Sequence, residues 1–340
     1  MKVYIAEALP KYPLIELLTL KTGLFQTPIK EGLIPVVRNF KACDIVLVPH
    51  DAYHFHSDVE YLEYLNSISD FKLVLYSDRG DFPKRPLIER GISLRVSIDP
   101  GENVNNKVVI PYNVQSLDFL PFQEYRPQPI VTFVGYVPRI SLGRIMRSTI
   151  NTPLHPLIGN GAIVRRKAIK DLERSGQIHT IVARDFYGAS MQTNNDLEGS
   201  RSEFLDVMKS SDYVLTPRGD ANQSARFYET LSSGRVPVIP QSKIVFPKLI
   251  QTNSSSNYHF IKTYTLSKSN ELGKLLKDDW STISSRSAYL EKQKQIRKFF
   301  KISLSFNNYV RDLFKLELSE FLKVATYSAK SLGPSLKVES

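Results

Sequence analysis

Apolar and polar positions along the chain alternate between two periods. Short, continuous apolar runs at residues 3–6, 45–49, 73–76 and 108–111 predict buried strands, and Val59, Leu62 and Leu65 mark a helix over 59–68. A second set of apolar runs follows at 130–134, 179–183, 213–216 and 236–239. Strands alternating with helical stretches predict parallel sheets joined by crossover helices. Residues 121–129 are Pro-rich and polar and separate the two sets, as an interdomain linker would. The expected organisation is a first domain over 1–123, a linker at 124–129, a second domain over 130–280 and closing helices over 281–340. Two parallel sheets so arranged enclose a cleft at the carboxyl ends of their strands, where α/β proteins bind ligands. Smaller expectations follow. Pro237 cannot donate to a ladder, which argues for an edge or strand-start position. Residues 252–257 form a Ser-rich surface loop, Gly159-Asn160-Gly161 is a turn, and Trp280 starts a helix.

The segment 211–240, SDYVLTPRGDANQSARFYETLSSGRVPVIP, concentrates the chemistry. Its first strand stops at Pro217, and Arg218-Gly219-Asp220-Ala221-Asn222 is dense in turn formers. A helix follows, with Ser224 at its start, Arg226 and Glu229 on one face, and Gly234 placed to end it in a left-handed conformation. The first turn of a helix offers unpaired N–H groups to phosphate oxygens, and Arg218 and Arg226 would add charge-assisted bonds. Glu229 could accept two hydrogen bonds from the vicinal hydroxyls of a ribose. The competing reading is a solvated Arg226–Glu229 pair worth a few tenths of a kcal/mol.

The pattern R-G-x-x-x-x-S-x-R-x-Y-E-x-L-x-x-G-R-x-P-V, over residues 218–238, resembles the signature of exostosin-like (GT47-like) glycosyltransferases. Upstream, Val131-Thr132-Phe133-Val134-Gly135 with Arg144 and Arg147 resembles the family's strand–Gly-loop–helix element. The resemblance is specific over roughly 130–250 and only general before that. It departs from the family at Tyr213-Val214, where many members have Phe-Cys, and at Thr216. What it implies is a GT-B fold, with two Rossmann-like parallel-sheet domains facing a central cleft and a last helix that returns to the first domain. It also implies a UDP-sugar donor and inversion by a single displacement. Arg218, Gly219, Asn222, Ser224, Arg226, Glu229 and Gly135 would then form the donor site, with Arg139 or Arg144 supporting the leaving diphosphate. No Asp-x-Asp occurs in the chain, so the leaving group is expected to be stabilised without a metal, and no cofactor is expected.

The acceptor side is less marked. His50 and Asp51, at the carboxyl end of the second strand, are the candidate base. Glu7, Asp78 and Asp81 stand at equivalent strand ends, and Asp51 could equally be a helix cap. His50, His54 and His56 form a short cluster without a matching acidic partner, which favours a loop over a metal site.

The chain has 340 residues, 42% of them hydrophobic, which is the composition of an ordinary two-domain globular protein. Its one cysteine, Cys43, excludes an internal disulfide and fits a buried thiol. No run of about 20 apolar residues exists, so neither a membrane anchor nor a signal peptide is expected, and the expected location is cytoplasmic. A net charge of +11 asks for an acidic partner. Residues 292–301 are basic and carry Ile296, Phe299 and Phe300 at helical spacing. Such a helix either packs on the protein or rests on an anionic membrane at its inner face, where a polyprenyl-linked glycan acceptor would be found. The expected activity is therefore glycosyl transfer in surface polysaccharide biosynthesis, with no nucleic-acid partner. The rival classes are a basic nucleic-acid-binding protein and an inactive GT-B scaffold.

Overall fold

The computed structural model describes residues 2–15, 32, 34–78, 88, 90–98, 106–137, 161–184, 194–219, 222–240, 244–248, 258–266 and 271–317. Two five-stranded sheets, every pairing parallel, form two α/β lobes in the GT-B arrangement.

The first sheet runs β1 (Val3–Ile5), β2 (Ile45–Asp51), β3 (Leu73–Ser77), β4 (Gly91–Arg95) and β5 (Lys107–Val109) in that order. All seven residues of β2 are buried, which is why its first five, Ile45 to Pro49, form a continuous apolar run rather than an alternation. Helices α1 (Ala52–Phe55) and α2 (Val59–Ser69) follow β2, and α2 closes one residue beyond its expected end. On the outer side of β1, Val3 N–H donates to Pro35 O at 2.9 Å and Val37 N–H donates to Val3 O at 2.8 Å. The chain thus leaves β1 to one side and returns as β2 on the other, so the strand order reverses between them.

The second sheet comprises β6 (Ile130–Tyr136), β7 (Ile178–Arg184), β8 (Tyr213–Leu215), β9 (Val236–Pro240) and β10 (Lys262–Tyr264), in the order β10-β9-β8-β6-β7. Here the order reverses between β6 and β8. Three helices cross over between these strands: α3 (Gly161–Glu173), α4 (Asn194–Ser210) and α5 (Ala225–Ser232). Then come α6 (Glu271–Ser281), α7 (Arg286–Phe299), a π-helical turn at Phe300–Leu304 and α8 (Phe306–Asp312).

Several expectations are corrected. β4 and β10 were not predicted. Pro237 lies on an interior strand, not an edge, and stands near that strand's start as its second residue. Val236 N–H donates to Asp212 O and Val238 O accepts from Thr216 N–H, so both neighbours of Pro237 serve β8, while pairing with β10 starts only at Val238. The missing N–H therefore costs no ladder bond. Gly161 is the first residue of α3 rather than part of a turn, and Trp280 lies at the end of α6 rather than the start of a helix. Buried against Tyr125, Tyr213 and Tyr289, Trp280 donates its indole N–H to Arg126 O at 3.1 Å and pins the connecting segment. The 252–257 loop lies outside the described residues.

Tyr289, Ile296, Phe300 and Leu304 belong to the second lobe's core, whereas Phe306, Tyr309, Val310, Leu313 and Phe314 belong to the core of the first. The closing helices therefore bridge the lobes, and Tyr309 donates its hydroxyl to Val109 O at 3.1 Å. The apolar stripe of the 292–301 segment is spent in this packing. No helix among the described residues is long and apolar enough to cross a membrane. Cys43 is buried, and burial pushes its thiol pKa up.

Candidate functional site

The reversal between β6 and β8 places the carboxyl ends of those two strands side by side, and the Arg218–Gly219 turn leaves from the second of them. Arg165, from α3, ties the two ends together. Its Nη1 donates to Tyr136 O at 2.7 Å and its Nε to Arg218 O at 3.1 Å. The start of α3 presses on the same turn, because a Cβ at Gly161 would stand 2.1 Å from Gly219 O. Only glycine fits there. Arg218 is buried, with its Nη1 3.4 Å from Asn222 Oδ1. Asn222 Nδ2 in turn donates to Ile98 O at 3.1 Å, so the turn faces the residues that follow β4 of the first lobe. Gly135 sits near the end of β6, partly exposed, in register with Ala183.

Ser224 caps α5 by accepting from Arg226 N–H at 3.3 Å, and Gly234, at φ 78°, terminates it as expected. The Arg226–Glu229 pair is not a solvated one. Glu229 is buried, with Oε2 accepting from Arg226 Nη1 at 2.6 Å and Oε1 from Arg201 Nη1 at 2.6 Å. Arg201 belongs to α4 and also donates from Nη2 to Gln115 Oε1 at 3.0 Å. Both guanidinium groups stack on Phe204, Arg226 at 3.7 Å and Arg201 at 5.0 Å from the ring centre. Among the described residues, Arg226 Nε and Nη2 take part in no hydrogen bond. A carboxylate between two stacked guanidinium groups at a strand-order reversal can hold hydroxyls and an anion together.

Arg201, Phe204, Arg165 and Gly161 were not anticipated from the sequence. Arg201 and Phe204 are three apart on a helix, a spacing that any amphipathic helix shows, and their role appears only when α4 lies beside α5. Arg139, Arg144 and Asp81 lie outside the described residues.

In the first lobe, His50 is fully buried and both its ring nitrogens are engaged. Nε2 accepts from Leu9 N–H at 2.8 Å and Nδ1 donates to Pro13 O at 3.0 Å, which straps residues 9–13 to β2. Asp51 is also buried. Its Oδ1 caps α1 by accepting from Tyr53 N–H at 3.0 Å, and its Oδ2 accepts from Ser77 Oγ at 2.9 Å. Asp78 lies buried 3.7 Å from Arg95 Nε. Among the described residues, no three His, Cys, Asp or Glu side chains group closely enough to hold a metal ion.

Residues 171–319 match the family model of the RXYLT1 C-terminal domain. The match spans less than half of the chain and takes in α4, the Arg218 turn and α5. No curated protein matches the chain. Among solved structures, the chain is similar to a glycosyltransferase from Rickettsia africae, at 11% identity and a TM-score of 0.41, covering 87% of this chain and 86% of that one. It is similar to the lipopolysaccharide outer core galactosyltransferase WaaB at 12% identity and a TM-score of 0.40, covering 93% and 99%. A sucrose-phosphate synthase from Thermosynechococcus elongatus is similar at 10% identity and a TM-score of 0.40, covering 83% and 74%. Likeness at this level carries no functional weight, so the reading below rests on the chain's own residues.

Proposed function

We propose that the chain is an exostosin-like glycosyltransferase that moves a sugar from a nucleotide-sugar donor, a UDP-sugar on the family resemblance, to a hydroxyl of a glycan or lipid-linked glycan. The observation that carries this reading is the buried Glu229 carboxylate held between Arg201 and Arg226, in the same helix–turn segment as the Gly219 turn that Arg165 and the start of α3 hold in place. Arg226, whose Nε and Nη2 make no hydrogen bond among the described residues, and Arg218 bind the diphosphate, and Glu229 accepts from the ribose hydroxyls. Ser224 and the first turn of α5 add donors, and Gly135 and Asn222 shape the floor. Arg139 and Arg144 complete the set. The charge that grows on the departing diphosphate is met by these arginines rather than by a metal, and the anomeric centre inverts in one displacement.

The product belongs to surface polysaccharide biosynthesis on the cytoplasmic side of a membrane. Ile296, Phe300 and Leu304 are buried, so attraction to an anionic membrane falls to the exposed Lys294, Lys298 and Lys301. His50 and Asp51 shape the acceptor edge through the loop and cap they hold.

The test is calorimetric titration of UDP into wild type and Glu229→Ala. The variant should lose at least about tenfold in affinity, or about 1.4 kcal/mol. Its folding cost should stay near 1–2 kcal/mol, because both arginine partners reach solvent. Unchanged affinity would remove the ribose role, and absence of nucleotide binding by wild type would remove the donor site.

A further inference from the structure

We infer that Glu7 is the general base that takes the acceptor's proton. This inference rests on the glycosyl-transfer reading above and assigns the one chemical role that reading leaves unfilled.

Glu7 follows β1 by two residues, at the reversal of strand order between β1 and β2, which is the crevice where open α/β sheets bind ligands. The same carboxyl edge of the sheet carries Ile98, whose carbonyl receives Asn222 of the donor turn, so the donor turn meets the edge on which Glu7 stands. The other acidic and imidazole groups described along this edge are committed elsewhere. Both His50 nitrogens hold backbone, both Asp51 oxygens hold Tyr53 and Ser77, and Asp78 is buried beside Arg95.

Glu7 is arranged the opposite way. Its backbone is clamped on both sides, since Glu7 N–H donates to Tyr64 Oη at 3.3 Å and Tyr61 donates its hydroxyl to Glu7 O at 2.9 Å. Its carboxylate is exposed and, among the described residues, makes no hydrogen bond or ion pair. A fixed main chain and an unspent carboxylate are what a base in a solvent-filled cleft requires. Burial raises the pKa of both Tyr61 and Tyr64, so neither clamp carries charge near neutral pH.

The step balances. As the acceptor oxygen bonds to the anomeric carbon, its proton passes to Glu7. The bond from that carbon to the diphosphate oxygen breaks, and its electron pair leaves with the nucleoside diphosphate. When water is the acceptor, the same base serves hydrolysis.

The experiment uses the full chain and UDP-glucose, UDP-galactose, GDP-mannose, CMP-sialic acid and TDP-rhamnose. The sugar nucleotide that most raises the melting temperature is then followed for release of its nucleotide. Glu7→Gln should lower turnover at least about 100-fold while nucleotide affinity and melting temperature stay unchanged. Tyr61→Phe, which removes one clamp and leaves the carboxylate, should lower turnover several-fold at constant nucleotide affinity. Glu7→Gln turnover above a tenth of wild type, or a loss of nucleotide affinity in that variant, overturns the role of Glu7 and leaves the donor site standing. Wild type that neither binds nor cleaves any of the five overturns both.

Discussion

Replacing Gly161 by alanine tests how rigidly the donor turn is built. The added Cβ would lie 2.1 Å from Gly219 O and 2.7 Å from Gly219 C, both backbone atoms, so no side-chain rotation relieves the clash. Reaching ordinary contact means moving the start of α3 and the turn apart by about 1 Å. The turn cannot yield alone, because Arg165 holds Arg218 O and Tyr136 O, and its Nη2 would lie 2.8 Å from a Cβ on Gly219. Overpacking costs about 1–3 kcal/mol, and weakening one charge-assisted bond of Arg165 about 1.5 kcal/mol more. Alanine's better helix propensity returns less than about 1 kcal/mol at a first helical position. A net loss of about 2–3 kcal/mol is therefore expected, together with at least tenfold weaker UDP binding. Gly199 provides the control, since nothing lies within 4 Å of a Cβ there and it sits inside α4. Gly199→Ala should stabilise by roughly 0.5–1 kcal/mol. Urea unfolding and UDP titration on the two variants measure both effects. A Gly161→Ala protein as stable and as tight-binding as wild type would refute the close approach of α3 to the turn.

Two further outcomes concern the scaffold. Asp279 is pushed up by burial, but Lys292, Lys262 and Tyr213 outweigh that and hold it below its ordinary value of 3.8. A carboxyl held low in the folded state stabilises above its unfolded value, and that contribution is lost as pH falls through the folded one. Unfolding free energy should therefore drop below about pH 4. Asp279→Asn should remove this part of the slope and cost roughly 1–3 kcal/mol at pH 7, as read by denaturation at pH 3, 4 and 7. Arg297 donates to Asp118 O at 2.8 Å, to Ser233 O at 3.0 and 3.1 Å and to Leu120 O, and it stacks over Phe122. Arg297→Ala should cost about 2–3 kcal/mol and speed limited proteolysis between residues 118 and 122.

A parallel strand covered on both faces, such as β2, has no polar alternation to hide it, and edge strand β7, with no buried residue, still carries Ile178, Ile181 and Val182; eight of the ten described strands were therefore legible as apolar runs. The two missed strands lack that property for different reasons. β4 reads Gly-Ile-Ser-Leu-Arg and is buried throughout, its Arg95 made tolerable by Asp78 on the neighbouring strand segment. β10 is three residues long on an edge. In the donor segment, Ser224, Gly234 and the helix between them were legible because caps are local chemistry. Arg201 was not, since 28 residues separate it from Glu229 and only the packing of α4 beside α5 joins them. Burial of His50 was equally invisible, because its partners are backbone atoms 37 and 41 residues away.

The double pairing of Glu229 bears directly on whether it can serve a ribose. A carboxylate offers about four lone-pair directions, and Arg201 and Arg226 each take one, on different oxygens. One direction per oxygen remains, which is the number that two vicinal hydroxyls need. Arg226 places Nη1 on Glu229, and on the proposed reading its Nε and Nη2 serve the diphosphate. The stacking on Phe204 fixes the plane in which those donors point. On the proposed reading, ribose and diphosphate share one joined set of charges, and removing Arg226 should weaken both recognitions together. UDP, UMP and uridine titrated into Arg226→Ala separate the two. If uridine affinity is untouched while UDP affinity falls, the carboxylate is oriented by Arg201 alone and the joint reading fails.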